Sequence, residues 1–216
     1  MTARGARWRE PPVLTADEAV CLVASGDRVY LHEVAMVPFD LLDALVRRAP
    51  DLTRVEIVSL HTEGPAPHVD PSLAGHLRHN ALFVGANVRE AVNDGRADYT
   101  PVFLSEVPEL ITTGRLDLDV ALLQVSPPDS HGFCRLGTSI ACARAAAEHA
   151  RTVIALVNPR VPRTLGNSAV HVSRFDALVM ADRPLPTIEP APVDEVERQI
   201  GEHVAALVPD RATLQM

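Results

Sequence analysis

The stretch Val120-Ala-Leu-Leu-Gln-Val125 is apolar at all but one position, and Ser126-Pro-Pro-Asp-Ser-His-Gly-Phe133 follows it directly. An apolar run of this length, ended by prolines, is typical of a strand buried on both faces of a parallel sheet. Similar runs alternate with helical stretches, which predicts an α/β fold with a mainly parallel sheet flanked by helices. The other expected strands are 28–32, 55–60, 81–84, 101–104, 153–157 and 177–180, and the expected helices between them are 39–48, 88–93, 105–113 and 140–149.

The segments before and after these alternating strands and helices carry further signals for helices and connectors. Thr15-Ala-Asp-Glu18 reads as a capping box for a first helix that Gly26 ends. Residues 183–192 carry four prolines and predict an extended connector. An amphipathic helix with an apolar stripe should follow over 193–207, and a strand-like run over 212–216. We therefore expect an α/β domain at 1–182, then a connector, a helix and the start of a further domain at 183–216.

Composition excludes several classes of function. The 216 residues carry 20 basic and 28 acidic side chains, a net charge of −8, and every basic residue is arginine. Without lysine the chain has no Walker A loop and no Schiff-base lysine, and its acidity argues against nucleic acid as a partner. The G-x-G spacing of dinucleotide-binding folds is missing too.

The compartment is inferred from cysteines and apolar runs. Three cysteines without a CxxC pair favour a reducing, cytoplasmic setting. Residues 1–12 contain no apolar stretch, so no signal peptide is expected there, and no apolar run is long enough to span a membrane.

Candidate site residues follow three of the predicted strands. Since the carboxyl ends of parallel strands meet at one edge of the sheet, the three loops should converge on a pocket. The loop after 120–125 could instead be a rigid structural turn, and the asparagine after 81–84 could be only a helix N-cap. The candidates are Glu63, Gly64, Gly85, Asn87, Ser126, Asp129, His131 and Gly132.

Three other patterns are weaker. Ser139 loosely resembles a nucleophile elbow, but a helix N-cap explains it better. Cys134 follows His131 closely, yet a packed cysteine is the better interpretation than a Cys–His nucleophile. A cluster of histidines, which would imply a metal hydrolase, matches no known ligand spacing; it comprises His61, His68, His76 and His79, with Asp70 nearby.

At these loops the sequence resembles the acetyl-CoA hydrolase/transferase family, which includes acetate and 4-hydroxybutyrate CoA-transferases. The resemblance runs in order over essentially the whole chain. The matching strings are Leu60-His-Thr-Glu-Gly-Pro65, Phe83-Val-Gly-Ala-Asn-Val-Arg-Glu90, Tyr99-Thr-Pro-Val-Phe-Leu-Ser-Glu106, Val125-Ser-Pro-Pro-Asp129, His131-Gly132, Leu136-Gly-Thr-Ser139, Asn158-Pro159 and the segment from Pro209 to Met216.

The resemblance implies the N-terminal one of two related α/β domains. In such enzymes a glutamate of the C-terminal half attacks an acyl-CoA thioester, and a second carboxylate completes the exchange, so no catalytic residue is expected in this chain. Coenzyme A thioester is then a substrate, with no resident cofactor or metal. The implied partners are an acyl-CoA, a small carboxylate and the C-terminal domain or a second subunit, in a homo- or hetero-oligomer.

One departure from the family supports an alternative. After the first strand the family has small glycines, whereas this chain has His32-Glu-Val-Ala-Met-Val-Pro38. We expect Glu33 and Val34 to crowd the substrate and to add negative charge beside it. Either specificity has changed, or the chain is a non-catalytic remnant that serves as an interaction or regulatory partner of an intact transferase.

Overall fold

The computed structural model describes residues 10–215, which contain nine strands and six α-helices. The strands are β1 (Arg28–Leu31), β2 (Val55–Ser59), β3 (Leu77–Ala81), β4 (Asp98–Tyr99), β5 (Val120–Val125), β6 (Phe133–Arg135), β7 (Thr152–Val157), β8 (Ala169–His171) and β9 (Ala177–Met180). The helices are α1 (Ala16–Ala19), α2 (Phe39–Arg48), α3 (Arg89–Asn93), α4 (Val107–Thr112), α5 (Ala143–His149) and α6 (Glu195–Ala206).

Seven of the strands form one parallel sheet, which confirms the predicted fold class. Their order is β4-β3-β2-β1-β5-β7-β9, while β6 and β8 form a separate antiparallel pair. The chain builds outwards from β1 through β2 and β3 to β4, then returns to pair β5 with the other edge of β1. The boundary between β1 and β5 is therefore the topological switch point, where open α/β sheets bind ligands at the carboxyl ends of their strands.

Each face of the sheet is covered by its own apolar layer. Alternate residues of β1 show the division, because Tyr30 belongs to one buried cluster while Val29 and Leu31 belong to the other. The cluster around Tyr30 includes the alanine-rich face of α5, and the opposite cluster includes Leu41 and Leu42 of α2. The sheet is thus the middle layer of three, as burial of both faces requires.

Two predicted strands were placed wrongly. The strand expected at 81–84 lies at Leu77–Ala81, and the one expected at 101–104 is the two-residue β4, after which Leu104–Glu106 forms a 3-10 turn. β3 reads Leu-Arg-His-Asn-Ala, so its polar side chains hid it from a search for apolar runs. The β6–β8 pair was not predicted either, because strands of three residues so far apart in sequence leave no local pattern.

The predicted start of the first helix is confirmed. The backbone N–H of Thr15 donates to Glu18 Oε2 at 2.9 Å, and the Thr15 hydroxyl accepts from the backbone N–H of Glu18. Past the helix, Gly26 adopts a φ of 84°. The N-cap role predicted for Ser139 is wrong, because α5 begins at Ala143 and no side chain caps it.

The described residues form two compact units, one ending at Pro186 and the other beginning at Thr187. Within the second unit, Asp194 and Glu197 form a capping box at the start of α6, which confirms the helix predicted there. Its apolar stripe is exposed, and no residue of the helix is buried. Residues 212–215 form no strand, contrary to expectation, and the last residue of that predicted run lies outside the described residues.

Two of the expectations concern a signal peptide and membrane-spanning helices. Residues 1–9, most of the segment in which no signal peptide is expected, lie outside the described part of the chain. Between residues 10 and 215, no helix combines the length and the apolar character needed to cross a membrane.

Candidate functional site

Asn87 ties together the loops that follow β2 and β3. Its side-chain Nδ2 donates to Thr62 Oγ1 and to the carbonyl oxygen of Gly64, each at 3.0 Å. The N-cap of α3 is Val88, so the alternative that Asn87 only caps this helix is wrong. Asn87 Oδ1 is buried and has no hydrogen-bond partner within the described residues. The asparagine therefore holds the two loops in register and keeps an acceptor unused.

Two glycines let these loops approach closely. Gly64 has a φ of 88°, and a Cβ on it would lie 2.9 Å from Cζ of Phe39 at the start of α2. A Cβ on Gly85 would lie 3.0 Å from Asn87 Oδ1 and 3.5 Å from His61 Cβ. The loops are thus packed at backbone distance, and a side chain at Gly64 would meet both backbone strain and the aromatic ring.

The loop after β1 joins the same cluster through its backbone. Val34 donates from its N–H to the carbonyl oxygen of His61 at 2.7 Å and accepts from the N–H of Glu63 at 3.1 Å. Val34 has a φ of 56°, which a β-branched residue rarely adopts. These two backbone hydrogen bonds place Glu63 beside the boundary between β1 and β5. The Glu63 side chain is half-exposed, and its Oε1 lies 3.8 Å from His61 Nε2.

The loop after β5 is held closed by its own polar groups. Asp129 Oδ1 accepts from the N–H groups of His131 and Phe133, both at 2.9 Å, and Oδ2 accepts from Arg163 at 3.2 Å. The N–H of Phe133, with that of His131 and the Arg163 guanidinium, holds the pKa of Asp129 below its ordinary value. This carboxylate is therefore ionised and engaged in closing the turn into β6.

The remaining candidates of that loop are similarly engaged, apart from one side chain. The buried Ser126 hydroxyl donates to the carbonyl oxygen of Pro127 and accepts from the N–H of Arg135. A Cβ on Gly132, whose φ is 79°, would lie 2.8 Å from His171 Nε2. The His131 side chain is exposed.

The structure thus assembles the candidates into two groups. Glu63, Gly64, Gly85 and Asn87 are joined by direct contacts at the carboxyl ends of β2 and β3. Ser126, Asp129, His131 and Gly132 lie on the loop after β5. Across residues 10–215, no hydrogen bond or ion pair connects the side chains of the two groups.

At the carboxyl ends of β1, β5 and β7 lies a buried polar network that sequence reasoning missed. Gln124 donates its backbone N–H to His32 Nδ1 at 3.2 Å, so His32 Nε2 carries the proton and donates to the carbonyl oxygen of Ser139 at 2.8 Å. Burial lowers the pKa of His32 and keeps the ring neutral. Asn158 Nδ2 donates to Gln124 Oε1 at 2.9 Å and to the carbonyl oxygen of Arg183 at 2.7 Å. The one signal in the sequence was Gln124 itself, a polar residue in an otherwise apolar strand.

Glu33 does not add charge to the crevice as expected. Its side chain is fully buried, Tyr30 donates its hydroxyl to Oε2, and Cys142 donates its backbone N–H to Oε1 at 3.3 Å. The carboxylate therefore faces the protein interior beneath the loop. The contact with the neighbouring loop is made by the backbone of Val34.

The other sequence patterns are dispersed or buried. His68 and His79 contact each other inside the protein, with 3.2 Å between Nε2 and Nδ1, whereas His76 bonds to the carbonyl oxygen of Leu52. Within the described residues no three histidine, cysteine or acidic side chains are grouped for a metal ion. Cys134 is fully buried, and burial raises the pKa of its thiol to about 12. It is therefore a packed cysteine.

Known proteins match this chain over nearly its whole length. Residues 4–189 match the acetyl-CoA hydrolase/transferase N-terminal domain. A 4-hydroxybutyrate coenzyme A transferase of Clostridium kluyveri is 45% identical over 97% of the chain and 49% of its own length. A succinyl-CoA:acetate/propanoyl-CoA:succinate CoA transferase of Fasciola hepatica is 39% identical over 100% of the chain and 44% of its own length.

Solved structures agree with the sequence matches. RipA of Yersinia pestis superimposes with a TM-score of 0.84 at 29% identity, covering 93% of this chain and 49% of RipA. A 4-hydroxybutyrate CoA-transferase of Porphyromonas gingivalis gives a TM-score of 0.77 at 30% identity over 92% of the chain and 46% of its own. The chain therefore spans about half the length of the relatives it matches.

Proposed function

Because this chain belongs to the acetyl-CoA hydrolase/transferase family through its N-terminal domain, we propose that it is the N-terminal half or subunit of a CoA-transferase. The reaction would move coenzyme A between a short-chain acyl-CoA and a carboxylate. The observation that supports this most is the match over 97% of the chain to a coenzyme A transferase of which it spans 49%. A C-terminal domain or second subunit completes the protein in this proposal.

The proposed chemistry is covalent catalysis by a carboxylate of that other half. A glutamate oxygen forms a bond to the thioester carbonyl carbon, and the carbon–sulfur bond breaks to release the CoA thiolate, leaving an acyl-glutamyl anhydride. The thiolate then attacks the glutamyl carbonyl carbon, which releases the first acid and leaves a glutamyl-CoA thioester. A second acid reverses these two steps and leaves as the new thioester. Coenzyme A is a substrate throughout, and no resident cofactor takes part.

The contribution of this chain is to shape and wall the pocket for the reacting carboxylate and acyl group. Its loops meet at the switch point, where Asn87 and Gly64 fix the positions of the β2 and β3 loops. Glu63 and His131 keep side chains available to solvent at this edge, whereas Asp129 is engaged in its turn. Positioning of this kind acts by holding the reacting groups in a productive geometry.

The deciding experiment is complementation. The chain is mixed with the separately produced C-terminal half of the Clostridium relative, and transfer from acetyl-CoA to 4-hydroxybutyrate is followed. We expect thioester exchange from the mixture and none from either part alone. The two halves of the relative itself are the control that the split is tolerated. If those halves reconstitute activity while this chain does not, the non-catalytic partner role is the correct one.

Variants in an active mixture separate the two groups of site residues. Asn87→Asp replaces the donor that faces the Gly64 carbonyl oxygen by an acceptor, so we expect kcat/KM to fall at least about tenfold. His131→Ala removes an exposed ring and tests whether the β5 loop contacts substrate. Unchanged kcat/KM in both variants would contradict the proposed pocket. Arg115→Gln, an exposed position after α4, is the matched control.

The setting of the protein is part of the proposal. We propose a reducing, cytoplasmic compartment, supported by three cysteines that are all free thiols. We also propose a homo- or hetero-oligomer, supported by the exposed apolar stripe of α6.

A further inference from the structure

We propose a second ligand site, for a small organic monocarboxylate with an apolar chain. It is a cavity at the amino ends of the sheet strands, opposite to the carboxyl ends that carry the candidate functional site. The cavity has a volume of about 660 Å³, within the range of small-molecule sites. Its lining includes Arg54, which precedes β2, Gly75, which precedes β3, and Arg96, which precedes β4. It therefore opens at the amino ends of these strands, whereas the candidate active site lies at the carboxyl ends.

Arg54 is the cation that the cavity offers to a ligand. Three arginines line the cavity, but Arg78 bonds to both carboxylate oxygens of Asp98, and Arg96 bonds to Asp94 and to the carbonyl oxygen of Val69. The Arg54 guanidinium has neither an ion pair nor a hydrogen bond to any residue within 10–215. A charge without a partner at a cavity wall favours an anion.

The acidic residues of the lining do not cancel this cation. Glu56 is ion-paired with Arg28 at 2.6 Å and accepts from Asn80. Asp70 accepts from the backbone N–H and the hydroxyl of Ser72. The Arg28 guanidinium compensates Glu56, and the positive charge of Arg96 acts on Asp70, whose own hydrogen-bond donors are neutral. Arg54 forms no ion pair with either acid, so it is the cation that an incoming anion meets.

The backbone at Arg54 is fixed in an unusual conformation. Its φ is 53°, in the left-handed region that residues with a side chain seldom occupy. The Arg54 N–H donates to the carbonyl oxygen of Gly75 at 2.9 Å, which holds the turn that leads into β2. Backbone strain of this kind collects at ligand sites, because the rest of the fold has to maintain it.

A buried histidine pair supplies a second polar group. His68 and His79 both line the cavity, and burial lowers the pKa of each, so both rings are neutral at pH 7. Their mutual hydrogen bond uses His68 Nε2 and leaves His68 Nδ1 buried without a partner in the described chain. An unpaired buried nitrogen costs free energy that a bound carbonyl or hydroxyl group would recover.

These features together define the ligand class. A carboxylate would pair with Arg54, and an apolar chain would lie along Val69, Pro71 and Ala74, which line the same cavity and are not fully buried. A hydrogen-bonding group on that chain would approach His68. The pattern of one anchored charge, an apolar wall and one polar contact is usual for small-molecule sites.

The test is binding of hexanoate to the full chain, followed by calorimetry and by NMR of the histidine nitrogens. We expect saturable binding of hexanoate, and binding of hexan-1-ol weaker by about tenfold because it lacks the charge. The analogue 6-hydroxyhexanoate, which adds a hydroxyl group at the far end of the chain, should in addition shift the His68 signals. Arg54→Gln should weaken hexanoate binding by at least about tenfold. Arg115→Gln, an equal change at an exposed arginine away from the cavity, should alter it less than about twofold.

A further variant separates this site from the one proposed for catalysis. Asn87→Ala disturbs the carboxyl-edge loops and should leave hexanoate binding unchanged. The proposal is overturned if hexanoate does not bind, if Arg54→Gln binds it as tightly as the parent chain, or if Asn87→Ala rather than Arg54→Gln abolishes binding. Because the readout is binding, it does not depend on the proposed transferase activity.

Discussion

At the scale of single residues, Gly64 is a position of the candidate site that leaves no room for a side chain. Its Cβ would meet the Phe39 ring, which cannot swing away freely because the Arg183 guanidinium lies over it, 4.8 Å from the ring centre. A methyl group at Gly64 therefore adds a steric clash to the cost of a positive φ.

We predict that Gly64→Ala lowers the free energy of unfolding by about 3 kcal/mol, as strain and overpacking add. Gly26→Ala is the matched control, because Gly26 has a φ of 84° and a methyl group there would meet nothing within 4 Å. It should cost only about 1 kcal/mol for the backbone conformation. Urea unfolding of the two variants measures the difference, and equal losses would show that the Phe39 contact is unimportant.

How far the candidate site could be predicted depends on the kind of contact. Glu63, Gly64 and Asn87 lie in loops that follow two strands of a parallel sheet, so the expected topology places them at one end of the strands even though the strand before Asn87 lies at Leu77–Ala81 and not at 81–84. His32, Gln124 and Asn158 could not be linked from sequence, since their hydrogen bonds join strands that are distant in the chain. Likewise, the inward turn of Glu33 depends on Tyr30 and on the backbone of Cys142, which no local pattern reveals.

At the scale of elements, boundaries were predictable where a side chain caps a helix or where a strand is apolar. The capping boxes at Thr15 and Asp194 mark α1 and α6 in the sequence itself. β3 and β4 were misplaced because at this end of the sheet polar pairs such as Arg78–Asp98 occupy positions that elsewhere hold apolar residues. Strand position there is set by pairing with β2, which is a tertiary effect.

We predict that Asp194→Ala frays the first turn of α6. The Asp194 side chain accepts from the backbone N–H of Glu197 at 2.7 Å, and loss of an N-cap costs about 1 kcal/mol. Amide exchange at Glu197 in the full chain should therefore accelerate about fivefold. Asp210→Ala removes the same charge outside the helix and should leave this exchange rate unchanged. An unchanged rate in Asp194→Ala would mean that the cap does not hold the turn.

At the scale of the whole molecule, the buried histidine pair makes stability depend on pH. The pKa of His79 is lowered by burial from 6.5 to about 4, so the unfolded chain takes up a proton at higher pH than the folded chain. Stability is then fully present above pH 6.5 and decreases as the pH falls towards 4, by about 3 kcal/mol from this group. The pKa of His68 is lowered in the same direction and adds to the effect.

Urea unfolding between pH 7 and pH 4 tests this dependence. The variant His79→Leu should show a shallower decrease than the parent chain, whatever its absolute stability. The control is His131→Gln, since that ring is exposed and should not change the slope. Parallel curves for His79→Leu and the parent chain would refute the assignment.

The exposed stripe of α6 predicts that the chain associates with itself when produced alone. Exposed apolar side chains in a row along a helix face are usually covered by a partner. Here they are Val196, Ile200 and Val204 on α6, with Val193 and Leu207 flanking the helix. We expect light scattering to report a mass above 23.3 kDa and Ile200→Glu to reduce it to that of a monomer. Gln199→Glu adds the same charge beside the stripe and should leave the association intact. A monomeric parent chain would contradict this prediction.

The return of the chain to β1 has a consequence for its synthesis. The backbone N–H of Arg28 bonds to a carboxylate of Asp119, 91 residues further along, and β1 pairs with β5 at the same place. While the nascent chain emerges, β2, β3 and β4 can assemble on one side of β1, but the other edge of β1 has to wait for β5. During that interval a central apolar strand offers unsatisfied amides to any neighbouring polypeptide. The vulnerable stage of folding is therefore the pairing of β1 with β5, the strand boundary at whose carboxyl end the candidate functional site lies.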